Sequence, residues 1–294
     1  MRRLGRWFLG FLLVIAGALG ALYGYTALRF NRSYDVATRP LTLPTDSASL
    51  ARGQHVATAI GKCVDCHTAD MGGKVFIDDK ALGYIVTPNL TGGPGSPVAG
   101  WALADWDRAI RHGVRPNHRG LAIMPAEEYQ YFTDADFTAL VAYITSVPKV
   151  DRSLPGRTFG PMARALYVAG KLPLFPAEVV KHDSVGRHSF PEGEYLARTG
   201  GCFACHGVTL AGGAIVGMPP GTPPAANIST TGMINWTLAD FTTALRTGKR
   251  PDGSTLKAPM PWKLTANLTD AEIEALWNYL RSGTYPSQAG GPKS

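Results

Sequence analysis

The tightest constraint on this chain is a five-residue string that occurs twice, as Cys63-Val64-Asp65-Cys66-His67 and as Cys202-Phe203-Ala204-Cys205-His206. Together the two copies use all four cysteines of the 294 residues. C-x-x-C-H is the attachment sequence for a c-type haem. Two thiols three residues apart each add to one vinyl group of the porphyrin, and the histidine that follows presents its imidazole to the iron. A thioredoxin-like redox pair would need a βαβ setting, and a zinc site two further ligands per metal. The strings predict two covalently bound haems c, with Cys63, Cys66, Cys202 and Cys205 as the attachment points and His67 and His206 as proximal ligands.

Setting the two strings in register exposes a long internal repeat. Val86-Thr87-Pro88-Asn89-Leu90-Thr91 aligns with Ala225-Ala226-Asn227-Ile228-Ser229-Thr230, and Trp101-Ala102-Leu103-Ala104-Asp105-Trp106 with Trp236-Thr237-Leu238-Ala239-Asp240-Phe241. Ala109 to Pro116 then aligns with Ala244 to Pro251, Met124-Pro125 with Met260-Pro261, and Thr133 to Asp136 with Thr269 to Glu272. Each copy is one unit folded around its own haem. Helices are predicted before each motif (Ser49 to Ile60, Pro191 to Thr199) and over Leu103 to His112 and Leu238 to Thr247, the latter two stopping at Gly113 and Gly248. A final helix in each unit starts behind a capping threonine, Thr133 or Thr269. Its apolar face then recurs at helical spacing, through Phe137, Leu140, Val141 and Ile144 or Ile273, Leu276, Trp277 and Leu280. The fold class expected is all-α, with domains at 46–150 and 191–285 and a connector at 151–190.

The sixth iron ligand decides what such a site does. Methionine raises the potential and closes the iron to outside ligands; an open position invites catalysis. Met124 lies 57 residues after His67 and Met260 lies 54 after His206, each in a Pro-flanked loop between two cap-defined helices. Met71, Met162, Met218 and Met233 have no methionine at the equivalent position of the other copy, so Met124 and Met260 are the expected distal ligands. His118, six residues before Met124, is the rival in the first unit, although its counterpart is Gly253. The haem propionates need donors, and Asn89, Asn227, Trp101, Trp236, Arg115 and Arg250 are repeated groups that offer them; the alternative is that they cap loops or pack beside the ring.

Trp7 to Leu28 is an uncharged run of 22 residues, preceded by Arg2, Arg3 and Arg6 and followed by Arg29 and Arg32. About 20 apolar residues span a bilayer. The run exceeds a signal-peptide core, although Ala16, Gly17, Ala18 and Gly20 would offer a cleavage site. An uncleaved anchor over 1–30 is expected, then a Pro-containing tether over 31–45, with the haem domains on the outer, periplasmic side of the cytoplasmic membrane. The net charge of +7 gathers near that membrane, with six Arg against one Asp in 1–44 and six basic against three acidic groups in 151–190. A nucleic-acid binder would want a basic stripe on a folded face, and no such partner is expected. A flexible tail is expected at 286–294.

On C-x-x-C-H, the Asn-(Leu/Ile) segment, Trp-x-Leu-Ala-Asp, Gly-x-Arg-Pro, Met-Pro and the Thr-Asp-led last helix, each present twice, the chain resembles the membrane-anchored cytochrome c subunits of bacterial alcohol and gluconate dehydrogenases. It differs from them in having two haem motifs in place of three and an N-terminal anchor. The separate units resemble class I cytochromes c, which implies small helical domains with His/Met iron. The resemblance implies an electron-transfer subunit without substrate chemistry of its own. Its expected partners are a dehydrogenase subunit on one side and a terminal oxidase or soluble cytochrome on the other. The competing expectation is a di-haem enzyme of peroxidase or thiosulfate-oxidising type, which requires one open iron.

Overall fold

The computed structural model describes residues 2–219 and 221–286; all but the first residue of the tail expected at 286–294 lies outside them. Helix α1 (Arg2–Phe30) runs unbroken through the apolar segment. By length and composition it is able to cross a membrane, a test that a signal sequence also passes. Its large apolar side chains, from Trp7 and Phe8 to Val14, are exposed. Only its last turns touch the rest of the protein: Thr26 is buried, and the helix packs on α7 (Pro161–Val168) of the connector.

The first haem-motif unit is built from α2 (Ser47–His55), α3 (Cys63–His67), α4 (Leu103–His112), α5 (Ala126–Tyr129) and α6 (Asp134–Ser146). The second repeats them as α8 (Glu192–Thr199), α9 (Cys202–His206), α10 (Leu238–Thr247), α11 (Trp262–Thr265) and α12 (Asp270–Ser282). The local signals act as sequence chemistry dictates. Gly113 and Gly248 close α4 and α10 at φ +66° and +74°, a conformation that costs glycine nothing. Thr133 accepts the Asp136 N–H at 3.1 Å. Thr269 and Glu272 form a full capping box at 3.2 and 2.9 Å, satisfying N–H groups a helix start leaves orphaned.

Each unit is held by one crossing, α2 on α6 and α8 on α12, and each crossing is made by a glycine. A Cβ on Gly53 would lie 2.0 Å from the Ala139 carbonyl oxygen, and one on Gly193 would lie 2.0 Å from that of Ala275. The backbones touch there. Counted from these glycines, the path to the motif is one residue longer in the first unit. The extra residue is absorbed by a π turn (Val56–Ile60), closed by the Gly61 N–H on the Val56 carbonyl at 2.8 Å. The second unit closes the same corner with an ordinary bond, Gly200 N–H to Leu196 O at 2.8 Å. An inserted residue taken up as one wide turn keeps both flanking faces in register.

The fold is mainly helical, as expected, with one small addition. A small antiparallel sheet follows the first motif, with β1 (Lys74–Asp79) paired to β2 (Gly83–Thr87) and β2 to β3 (Thr158–Phe159) of the connector. Val75, Phe76, Ile77, Tyr84, Ile85 and Val86 are residues that favour a pleated strand. Asp79 Oδ1 accepts the N–H groups of Ala81 and Leu82 at 2.8 and 2.7 Å and turns the chain. Among the described residues, the second unit has only the isolated bridge Gly213–Ala225 at the equivalent place.

A single apolar core runs through both units, from Val56, Phe132, Phe137 and Leu140 to Leu196, Leu210, Ile273 and Leu280. The contact between the units is reciprocal. His55 of α2 bonds Glu272 of α12 at 2.8 Å, while its counterpart Tyr195 of α8 donates to Asp136 of α6 at 2.5 Å. Likewise α5 packs on α8, and its repeat α11 packs on the π turn. Two tandem copies thus meet across an approximate twofold axis, as identical subunits do in an isologous dimer. Arg52 sits on that axis, clamping Asp136 at 2.7 and 2.8 Å and reaching Glu272 at 3.2 Å.

Candidate functional site

The C-x-x-C-H strings form the one-and-a-half-turn helices α3 and α9. Each starts from a left-handed residue, Lys62 (φ +52°) and Gly201 (φ +75°). Helical spacing puts both sulfurs of each string on one side. Cys63 is buried, and Cys66, Cys202 and Cys205 are half-buried. Burial pushes the thiols of Cys63 and Cys202 up, to about 12 and about 11. A thiol held neutral is a poor redox or zinc ligand, and among the described residues no cluster of three His, Cys, Asp or Glu side chains is placed to hold a metal ion.

His67 and His206 are both buried. His67 Nδ1 lies 2.9 Å from the Pro88 carbonyl oxygen, and His206 Nδ1 lies 2.7 Å from that of Ala226. A carbonyl only accepts, so Nδ1 carries the proton in both rings and Nε2 keeps its lone pair. Burial also lowers both imidazole pKa values, which favours the neutral, metal-ligating form. A ring fixed by a backbone carbonyl with its other nitrogen free is the arrangement that orients a metal ligand. The loops after each motif match as well: Gly73 N–H bonds the His67 carbonyl at 3.0 Å and Gly212 N–H that of His206 at 2.9 Å. Met71 and Leu210 fill the same fully buried site beneath these turns.

Met124 and Met260 are half-buried and pack against the shared apolar core. Each precedes a Pro-led turn in which its own carbonyl accepts an N–H two residues on, from Ala126 at 2.8 Å and from Trp262 at 3.0 Å. His118 is exposed at φ +63°, with Nδ1 3.3 Å from the Tyr34 carbonyl of the tether. It contacts the tether on this side of the loop.

The expected propionate donors divide into three kinds. Trp101 and Trp236 are half-buried at the start of α4 and α10, and among the described residues neither indole N–H meets an acceptor. Both fit a carboxylate. Asn89 does not: its Nδ2 donates to the Val150 carbonyl at 2.8 Å, and its Oδ1 accepts the Thr91 N–H and hydroxyl at 3.0 and 2.7 Å. Asn227 folds the same turn through Ser229, at 2.9 and 2.6 Å, and donates to Thr231 at 3.2 Å. These are Asx turns that tie loops, and that corrects the asparagine expectation. Arg115 and Arg250 open matched hairpins, held by Arg115 N–H to Arg119 O and Arg250 N–H to Ser254 O, both 2.8 Å. Neither guanidinium has an acidic partner among the described residues.

One cluster of charged groups beside the motifs escaped the sequence. Lys62, next to Cys63, donates through Nζ to the Gly200 carbonyl of the other unit at 2.8 Å. Glu128 of α5 lies against Gly201, next to Cys202. Burial, and then the neighbouring Glu127, push the Glu128 carboxyl up to about 8. Lys62 at the start of α3 and Glu128 of α5, both half-buried, therefore reach the turn that opens α9. A lysine before Cys63 was visible in the chain; its partner 138 residues on was not.

Comparison with known proteins agrees with this geometry. Residues 48–144 match the family model for cytochrome c oxidase, cbb3-type, subunit III, and residues 191–284 match that for cytochrome c. A nicotinate dehydrogenase subunit of Pseudomonas putida is 28% identical over 94% of this chain and 25% of that protein. The cytochrome c subunit of the quinone alcohol dehydrogenase of Gluconobacter oxydans is 42% identical over 32% of this chain and 21% of its own length. A diheme cytochrome c-type protein of Cereibacter sphaeroides is 27% identical over 92% of this chain and 95% of its own. The chain spans about a quarter of the length of the dehydrogenase relatives it matches. Each family match takes in one C-x-x-C-H string.

Proposed function

We propose that this chain, a tandem of two cytochrome c domains holding two covalently bound haems c, relays single electrons from a dehydrogenase to a respiratory acceptor at the outer face of the cytoplasmic membrane. The haem supplies the one-electron chemistry; the protein fixes ligands, burial and spacing. The observation that carries the reading is the pairing of an oriented histidine with a Met-Pro loop at equivalent positions of both units. His67 and Met124 would ligate the iron of the first haem, and His206 and Met260 that of the second. Cys63, Cys66, Cys202 and Cys205 would hold the porphyrins, and Trp101, Trp236 and Arg250 would face propionates, whereas Arg115, the counterpart of Arg250, lines a cavity beside α1 and is taken out of that set. The domains are 46–150 and 191–285, joined by 151–190.

Two closed irons favour transfer over substrate turnover, since catalysis at haem wants an open position. The shared core of the two units and the bond from Lys62 to Gly200, each beside a C-x-x-C-H string, favour exchange between the two haems within one chain. The printed names of the relatives support a dehydrogenase as donor. Helix α1, with its exposed apolar surface, supports an anchor with the haem units beyond the membrane. Extraction in mild detergent followed by mass spectrometry tests the partnership. A dehydrogenase subunit in stoichiometric amount is expected; a chain that arrives alone and passes no electrons from such an enzyme refutes it. Carbon monoxide binding by the native reduced protein would favour a di-haem enzyme instead.

A further inference from the structure

Where α1 leaves its apolar run, the protein holds a cavity of about 490 Å³ lined by four arginines and no carboxylate. Tyr23 and Phe30 of α1 form part of its wall, with Arg115, Arg119, Arg157 and Arg164 around it. Two of the four are already engaged. Arg164 donates to Thr26 Oγ1 at 2.5 Å and to the Phe159 carbonyl at 3.1 Å, and it lies over the rings of Tyr23 and Phe30 at 4.4 and 4.9 Å. Arg119 donates to the carbonyl and side-chain oxygens of Asn31 at 2.7 and 2.6 Å. The other two are not: among the described residues, the guanidinium groups of Arg115 and Arg157 meet no acceptor. Both are half-buried. Burial, joined by the charge of Arg115, presses Arg157 down to about 10. Like charges gathered in a desolvated cavity without a counter-ion are destabilising unless an anion enters.

The height of the cavity along α1 points to the kind of anion. A helix rises 1.5 Å per residue, so a hydrocarbon layer of about 30 Å takes roughly 20 residues. Counted from the interfacial Trp7, the layer ends near Ala27. Tyr23, Phe30 and Asn31 then stand at the boundary with the headgroups. Guanidinium forks match phosphate oxygens in pairs, and basic pockets at this depth take lipid phosphates.

We propose that the cavity binds the phosphate of an anionic phospholipid at the membrane surface, so that the first haem unit is seated on the bilayer as well as tethered to it. The proposal rests on the reading of α1 as a membrane anchor. The bound lipid neutralises Arg115 and Arg157, while Tyr23 and Phe30 cover the glycerol end of its chains.

The test uses the full haem-loaded chain in neutral maltoside detergent, titrated by calorimetry with short-chain phosphatidylglycerol, short-chain phosphatidylcholine and inorganic phosphate. Saturable binding of phosphatidylglycerol is expected, with the Arg157→Gln variant weakened about tenfold or more, as loss of charge-assisted pairs implies. Both haem midpoint potentials should stay where they are in the wild type. Unchanged lipid affinity in the variant overturns the proposal. So does a shifted first-haem potential with intact lipid binding, which would make these arginines propionate counter-ions. Displacement by equimolar inorganic phosphate, or equal binding of phosphatidylcholine, also overturns it. If Arg157→Gln loads no haem, Arg157→Lys, which keeps the charge but loses the bidentate fork, is read in its place, with a smaller loss of lipid affinity expected and an unchanged affinity again overturning the proposal. Release of the wild type from membranes by alkaline carbonate would refute the anchor; binding of a soluble lipid is read separately from that outcome.

Discussion

The two glycine crossings allow a direct test of how each haem unit is held. Adding one methyl at Gly53 places a carbon 2.0 Å from the Ala139 carbonyl oxygen, 2.5 Å from its carbon and 2.8 Å from Tyr143 Cβ. None of these atoms is the end of a flexible side chain. Restoring ordinary contact at 3.4 Å requires α2 and α6 to separate by about 1.4 Å (3.4 − 2.0). A radial gap of about 1 Å already forfeits up to roughly half of each dispersion contact, and this crossing carries Val56, Phe137, Leu140 and Val141 of the core. The expected loss is about 3 kcal/mol or more, at the upper end of overpacking effects. For a domain of this size that lowers the thermal midpoint by roughly 12 °C or more. Gly193→Ala, 2.0 Å from the Ala275 carbonyl oxygen, should do the same to the second unit. Gly156→Ala is the control, since its added carbon meets nothing within 4 Å. Calorimetry on the haem-loaded chain, with haem absorbance followed in parallel, reads all three. Midpoints for Gly53→Ala and Gly193→Ala equal to that of Gly156→Ala would refute the close crossing and the packing argument built on it.

Met124→Ala and Met260→Ala should each open one iron, lower that haem's potential and let the reduced protein bind one equivalent of carbon monoxide; unchanged ligand-field spectra in both would sink the ligand assignment. Burial opposes ionisation of Glu272, but His55, the Thr269 N–H and Arg52 prevail and hold its carboxyl at about 2. Its folded pKa is depressed, so its contribution of about 3 kcal/mol is present above the unfolded value near 4.5 and is lost as pH falls toward 2. Denaturant unfolding at pH 3 and pH 6 should therefore differ less in Glu272→Gln than in the wild type. Glu128 has the opposite sign: raised to about 8, it lets the folded state keep a proton the unfolded chain has released, so its effect on stability worsens as pH rises from about 4.5 to 8. Glu128→Gln should flatten that decline, and an unaltered pH profile between 5 and 8 would show that the carboxyl titrates normally.

How much of this was legible in the chain follows from the range over which each feature is specified. The short helices of the C-x-x-C-H strings and the glycine and threonine caps are set within about five residues, where covalent spacing and backbone sterics decide the outcome. Met124 and Met260 were singled out only because the repeat presents each position twice. A short polar residue matched in both copies was less informative. Asn89 and Asn227 recur for their ability to fold an Asx turn, which one line of sequence does not separate from contact with a cofactor.

The chain alone was enough to indicate that two haems c are bound and that it is two copies of one unit, because those are matters of local chemistry and repetition. Tertiary structure alone decided how the copies meet. Tyr195 finds Asp136 across 59 residues and His55 finds Glu272 across 217, a pairing that follows from twofold packing of like surfaces and leaves no periodic trace in the chain. The same holds for the π turn that absorbs one extra residue before Cys63, and for the sheet that β3 of the connector completes. It holds too for the arginines of the cavity. Arg115 and Arg157 lie 42 residues apart, and only the fold, by burying both beside the end of α1, turns two ordinary surface charges into one demand for an anion.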